Sequence, residues 1–545
     1  MYFNLLFKKV VFISGLFFSI YTQAQSTWPE SIILTPEKTD FLKTSTHQDV
    51  MNFIDAIQKL SNNVYVFSMG SSLEGKQIPV AVLANPRLES AAAAKASGKN
   101  IIYVQGNIHA GEVEGKEAIM MLMRDILLGD KKYLLDSLII LFVPIYNTDS
   151  NDKMAKGLRP SQEDSPPETG ERESSEGYDL NRDGIKMDAK ETRSLITQVI
   201  NPWDPQVFVD MHTTNGTWHA YSLTWAPSYF SAGAYQSFDY TLNKMLPTIA
   251  DSMKSKYNLL TGPYGDYYLN EGWPPKNFYS YNHHPRYLVN YMGFRNRIAI
   301  LSEAFAHERF YQRIHSSYSF VSEILDYSYR HATEIINTNK LSEKASIENV
   351  MNNAGKLSKG THFQMKTLYK IKDFITYDYI QVDSKDSIKK FQRTGKIVSY
   401  KDVNYHAKFE ATKSSLLPSG YIIEALYSKI VENLKQHGVV LRKLKKDTVL
   451  SGYIYMADSV VYNKVPYQKH HAASCFGGYI YTKKKFKKGD YIVDMNQPLT
   501  NLIFYLLEPE SDDGLLYWNF FDEYIQTAKK VDSKIEIPVF KYINK

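Results

Sequence analysis

His109 and Glu112 stand three residues apart in Gly106-Asn107-Ile108-His109-Ala110-Gly111-Glu112. A neutral imidazole and a carboxylate at that spacing reach one zinc ion from the same side and leave room for a distant third ligand and a water. His212, which ends Val209-Asp210-Met211-His212 and precedes Thr213, Thr214 and Asn215, is the candidate third ligand. Between them lies Tyr178-Asp179-Leu180-Asn181-Arg182. The Arg182 guanidinium can fork two hydrogen bonds onto a carboxylate, which lysine cannot match. Asp179 can orient a metal-bound imidazole from behind. Glu303, in Ile300-Leu301-Ser302-Glu303-Ala304-Phe305, ends an apolar stretch. A carboxylate there costs stability unless it is paired or used, and beside a metal it can be the general base that activates water. A His-x-x-Glu pair alone is common on surface loops; its companions give it weight.

These residues need elements to hold them. Ile101–Val104 reads as a strand running into His109, with helix-forming sequence from Gly115 to Leu127, and strand-to-helix loops are where α/β sheets build sites. Val207–Met211 and Ile298–Leu301 read as further buried strands, and Ser137–Ile145 as one buried on both faces. Val64–Ser68 and Gln77–Leu83 form a probable-hairpin pattern around Gly70–Lys76. Helical periodicity fills Val50–Leu60, Ser237–Tyr257 and Phe310–Ile336. Ser90–Lys99 reads as an Ala-rich loop, and Asn147–Gly177 as a long polar loop of the functional or mobile kind. Glu114 and Glu117 read as a solvated helix face. Alternating strands and helices predict an α/β domain with a mainly parallel sheet, ending near residue 338.

Residues 339–359 read as a linker or exposed helix, and 360–545 as a β-rich accessory domain around one helix, Tyr421–Gln436, with Gly438 at its C-cap. A length of 545 residues suits two or three domains. Lys8-Lys9, the apolar run Val10–Ile20 and small residues to Ala24 form a signal-peptide pattern, so residues 1–24 are expected to be removed and residues 25–338 to form the catalytic domain. Export to periplasm or medium follows as an expectation. No later segment has transmembrane length. Removing residues 1–24 takes away two lysines and leaves 62 basic against 58 acidic residues, a net +4 too small to argue for nucleic acid. The one cysteine, Cys475, excludes an internal disulfide.

The order of Glu-Gly-Lys hairpin, His-x-x-Glu, Asp-x-Asn-Arg, late His and late Glu, with 103 residues from His109 to His212 and 91 more to Glu303, resembles the zinc carboxypeptidase family over roughly residues 45–335. The resemblance implies a mixed eight-stranded sheet flanked by helices and one catalytic zinc per chain. It implies His109, Glu112 and His212 as metal ligands, Glu303 as general base, Asn181 and Arg182 as the grip on a peptide's free C-terminal carboxylate, and Asp179 as the partner of His109. Arg159 is the candidate for the oxyanion-stabilising arginine, with Arg172 as the alternative. Tyr281 is the candidate for the mobile tyrosine over the substrate, with Tyr279 and Tyr287 competing. The C-terminal stretch Leu507–Asp522 matches the ending of a secreted bacterial branch, and it also reads as a docking face.

The expected activity is therefore an exported metallocarboxypeptidase acting on peptides. Two other readings stand beside it: an amidase on cell-wall peptides, and a binding protein on a peptidase fold. His283 and His284 read as surface or rim histidines, and the basic runs at 442–446 and 483–488 as solvated strand edges with at most a weak cell-surface attraction.

Overall fold

The structure, a computed structural model, describes residues 28–383, 390–528 and 534–544; the expected signal segment 1–24 lies outside these. Apart from a two-residue pair, Ala155–Lys156 with Glu168–Thr169, the strands up to residue 304 are in chain order β1 (Val64–Ser71), β2 (Gln77–Leu83), β3 (Asn100–Gly106), β4 (Leu138–Val143), β5 (Val207–Thr213), β6 (Leu223–Pro227), β7 (Thr261–Pro263), β8 (Asn277–Tyr279) and β9 (Ile298–Ala304). All but β8 join one eight-stranded sheet in the order β1-β2-β4-β3-β5-β9-β6-β7. Its centre, β4-β3-β5-β9, is parallel throughout. Antiparallel pairs lie to either side, at β1/β2, β2/β4 and β9/β6. Every residue of the four central strands is buried. That explains their unbroken apolar runs: covered on both faces, they cannot alternate.

Helices α1 (His47–Leu60), α2 (Glu114–Leu128) and α3 (Phe310–Arg330) bring Val50, Phe53, Ile57, Ile119, Leu122, Ile126, Ile314 and Val321 onto one face of the sheet. Each such side chain contributes roughly 1.5–3 kcal/mol on burial. Thr46 begins α1 with a capping box, accepting the Asp49 amide while Asp49 accepts the Thr46 amide. The face expected to be solvated on α2 is instead enclosed. Glu117 accepts hydrogen bonds from Thr44 Oγ1 (2.8 Å), the Ser45 amide (2.7 Å) and Ser45 Oγ (2.8 Å), and Glu114 meets Arg313 Nε at 3.3 Å. Buried carboxylates survive in the first turn because partners and the helix dipole both favour them. Ser90–Lys99 also differs from expectation: Ala91–Ala96 is a helix, capped by Ser90 Oγ accepting the Ala93 amide. Four alanines after a capping serine favour helix strongly.

Beyond β9 the chain does not separate. Helix α4 (Ala332–Asn353) continues from α3 past residue 338 and through most of the expected linker. It leads into β10 (Ser358–Gln381) and β11 (Phe391–Leu416), a long hairpin that adds to β8 in a three-stranded sheet. Six further strands follow: β12 (Gly420–Ile423), β13 (Arg442–Lys443), β14 (Thr448–Tyr462), β15 (Ala473–Phe486), β16 (Tyr491–Asp494) and β17 (Ile535–Tyr542), ordered β13-β16-β12-β17-β14-β15. The helix expected over Tyr421–Gln436 is shorter, α5 (Ser428–Gln436), because Tyr421-Ile422-Ile423 pairs with both β16 and β17. Gly438, at φ +85°, sits just beyond α5 as expected. Helix α6 (Thr500–Leu507) is buried at all its residues and shares one core with Val289, Met292 and Phe294, which precede β9. Among the described residues no helix is long and apolar enough to cross a membrane.

Candidate metal centre and active site

β3 delivers the chain to Asn107, whose φ of +65° turns it sharply out of the sheet. The Glu112 amide then donates to the His109 carbonyl (2.9 Å), closing a turn that points both side chains inward. Gly111 is required here: a Cβ would lie 2.7 Å from both Arg159 Cγ and the Gly170 carbonyl. From the neighbouring strand, β5 brings His212 to its carboxyl end. In the parallel register His212 is opposite Glu303 on β9, so the two lie side by side at one edge of the sheet.

His109 Nδ1 lies 3.0 Å from Glu112 Oε1, His212 Nδ1 lies 3.0 Å from Glu112 Oε2, and the two Nδ1 atoms are 3.3 Å apart. Their far nitrogens face carboxylates. His109 Nε2 is 3.0 Å from Asp179 Oδ1, and His212 Nε2 is 3.0 Å from Asp210 Oδ2. Asn181 Nδ2, a donor, also approaches His212 Nε2, at 3.4 Å; the nearer, charged Asp210 carboxylate is the acceptor that favours a proton on Nε2. Protons held on both Nε2 atoms leave the Nδ1 lone pairs converging with the Glu112 oxygens. Three buried donor groups within 4.8 Å of one another then have no shared proton to separate them. That donor set, two imidazoles and a carboxylate, fits zinc with one position left for water. Without a cation, burial disfavours charge on His212, but Asp210 and Glu112 outweigh it and raise its pKa well above the usual value. Burial likewise opposes charge on Glu112, yet His109 and Arg159 hold its carboxyl well below the usual range.

All of the expected site residues except Asp179, which stands behind His109, line one cavity of about 360 Å³. Arg159 Nη2 is 3.0 Å from Glu112 Oε1. Arg172 is turned the other way, onto Asp179 Oδ2 at 2.9 Å, with Glu112 at 3.6 Å. Arg182 donates to the Asn181 carbonyl (2.9 Å) and lies over the Tyr287 ring, 4.4 Å from its centroid. Asn181 Oδ1 accepts the Leu288 amide. The Tyr281 hydroxyl donates to the Pro227 carbonyl (3.3 Å) and Asn290 Oδ1 (3.2 Å), and its ring packs between Tyr229, Tyr264 and Tyr287. Tyr279 stacks on His406 outside the cavity. Tyr287 is therefore the tyrosine beside Arg182. Burial pushes Glu303 up to about 8 in the absence of a metal charge.

Sequence reasoning did not pick out Asp210, although it sits two residues before His212 on the same strand and so on the same face. Gln105 Nε2 donates to Asp210 Oδ1 (3.0 Å), and the Tyr103 hydroxyl to Gln105 Oε1 (2.8 Å), a polar chain inside an apolar sheet. Tyr264 was also missed; nothing in its local sequence marks it. His283 is buried, not on the surface, and forms a second cluster with His284 and Asp512. Asp512 there already accepts the Phe363 amide (2.9 Å) and the Tyr505 hydroxyl, so the cluster is a hydrogen-bonded joint between the catalytic part and the extension.

Residues 50–287 match the zinc carboxypeptidase family. Carboxypeptidase 2 of Trichophyton equinum is 22% identical over 461 residues, covering 81% of this chain and 78% of its own length. A metallo-carboxypeptidase from Burkholderia cenocepacia is 15% identical, with a TM-score of 0.39, over 52% of this chain and 69% of its own. The carboxypeptidase A of Helicoverpa armigera is 13% identical, with a TM-score of 0.38, over 54% and 75%. Residues 50–287 are thus similar to zinc carboxypeptidases, the eight-stranded sheet carries a buried two-histidine, one-carboxylate cluster at one edge, and a β-rich extension follows it.

Proposed function

We propose that the protein is an exported enzyme that removes residues from the unblocked C-termini of peptides. Residues 25–338 cut and residues 360–545 support the cutting part, with 339–359 connecting them. Export rests on the pattern of residues 1–24. The observation that carries the reading is the juxtaposition in one cavity of the metal-binding trio, a strand-end carboxylate and an arginine on the wall.

His109, Glu112 and His212 hold the zinc, with Asp179 and Asp210 fixing the two rings. A zinc held there would supply Lewis acidity to a carbonyl and to water near neutral pH. Glu303 takes a proton from the attacking water and delivers it to the leaving amine. Arg159, beside Glu112, is aimed where negative charge develops on the carbonyl oxygen. Arg182 and Asn181 receive the terminal carboxylate and so place the last peptide bond over the trio. Tyr281 and Tyr287 wall the same subsite.

The test is metal analysis of the purified protein together with a chelator-sensitive assay on matched unblocked and C-terminally amidated peptides. One zinc per chain and stepwise release of amino acids from unblocked peptides alone is the expected result. Cleavage of wall peptides only would move the substrate to that class, and equal cleavage of amidated peptides would remove the role of Arg182.

A further inference from the structure

Residues Tyr467–His470 lie in the loop between β14 and β15, more than 280 residues from the segment they touch. Backbone hydrogen bonds in both directions between Tyr467 and His470 (2.8 and 3.0 Å) make a two-residue turn. Its central residues, Gln468 (φ +50°) and Lys469 (φ +64°), are left-handed without being glycine. That geometry suits a tight hairpin turn, but Asn and Gly are its usual occupants. Left-handed conformations are unfavourable for residues with a Cβ and persist where surrounding contacts hold them.

Toward the first part of the chain the contacts are to one stretch, Glu176–Asp188, and to Arg286 beside it, while His470 Nδ1 also lies 3.2 Å from Asn519 Oδ1. The Tyr467 side chain stands beside Arg182, and its ring lies 5.6 Å from the Arg286 guanidinium carbon. Gln468 Oε1 accepts the Asp179 amide at 2.9 Å. Lys469 Nζ donates to the Glu176 carbonyl and sits 4.0 Å from the Tyr178 ring centroid. His470 Nε2 is 2.7 Å from Asp188 Oδ2. Four successive residues thus grip the segment that carries Asp179, Asn181 and Arg182. The turn is itself backed by Trp518, which stacks on Tyr467 and donates to Asp513, the partner of Arg286.

From this geometry we propose that the Tyr467–His470 turn is a clip by which the C-terminal extension positions Arg182 for the substrate's carboxylate. This rests on the reading of Arg182 as the carboxylate receptor. Arg182 otherwise has only the Asn181 carbonyl, the Tyr287 face and a distant Asp179 oxygen at 3.9 Å to fix it. Those leave the guanidinium free to swing, and a long side chain ordered only on binding charges its lost freedom to affinity. The Gln468 hold on Asp179, with Tyr467 packed beside Arg182, restricts that freedom beforehand. Tyr467 and Gln468 touch no reacting atom; both are positioning residues.

The experiment compares Tyr467→Phe, Gln468→Ala and Arg182→Ala with the unaltered full-length zinc protein. Measured are KM and kcat on an unblocked peptide and the inhibition constant of a free amino acid product, which presents the same carboxylate. Tyr467→Phe is expected to raise KM and the inhibition constant together by about 3- to 10-fold, the worth of one ordinary polar contact, with kcat within about twofold. Gln468→Ala is expected to act in the same direction. A large KM effect for Arg182→Ala with unchanged KM and inhibition constants in both clip variants would overturn the clip. So would a loss of kcat and thermal stability at constant KM, which is what a purely structural turn gives. If Arg182→Ala itself leaves KM and product inhibition unchanged, the carboxylate reading of Arg182 falls, and the clip's purpose with it.

Discussion

His212 and Glu303, and the arginines on the wall of the same cavity, are positioned by different means. His212 and Glu303 are held by strand register, facing each other across β5 and β9 in a sheet core with no exposed residue. Arg159, Arg172 and Arg182 come from the polar stretch after β4, whose shape depends on salt bridges and on a turn contributed by the extension. Register leaves a strand-end side chain little choice, because a slip of one residue would put it on the opposite face. A loop arginine needs partners to choose among its conformers. The difference teaches that within one cavity the strand-end groups His212 and Glu303 are fixed by a rigid element and the arginines by an adjustable one.

If that division is real, substitutions should separate the two effects. His212→Ala is expected to abolish zinc binding and reduce hydrolysis to background, as read by metal content and turnover together. Glu303→Gln should retain about one zinc and lose about 10²- to 10⁴-fold in kcat, with KM little changed; retained turnover would break the assignment of the base. Arg182→Ala should raise KM by about 10- to 100-fold for unblocked peptides, the worth of a charged hydrogen-bonded pair. A loss of kcat alone there would erase the contrast between the two regions. Asp210→Asn should weaken zinc binding by about 10- to 100-fold, measured by competition with a chelator. The clip variants come last, with single polar contacts at stake.

The same division explains what the sequence revealed. The central strands were legible because burial on both faces makes them mostly apolar, and His212 and Glu303 were legible because each stands near the end of one, with His109 just beyond β3. The spacing of Asp210 from His212 also carried its role, since alternate strand residues share a face. By contrast, Tyr467 and Gln468 have no local mark: their significance lies in a contact across more than 280 residues of chain. The buried Glu114 and Glu117 misled for a related reason. Charged residues on an amphipathic pattern signal water unless the distant Arg313, or Thr44 and Ser45, are known to meet them. The extension's strands were visible, but the start of α5 was not, because Tyr421-Ile422-Ile423 suits either state until β16 and β17 pair with it.

The core shared by α6 with Val289, Met292 and Phe294 has a consequence for synthesis. The apolar surface that α6 covers leaves the ribosome about 200 residues before α6 does, which at the usual elongation rate of about 5–20 residues per second is roughly 10–40 s. Throughout that interval the nascent catalytic part has its strands but not its lid of Leu502, Phe504 and Leu506. The chain therefore becomes a finished enzyme only when its last elements arrive, and truncation near the C-terminus should yield an aggregating polypeptide instead of a smaller peptidase.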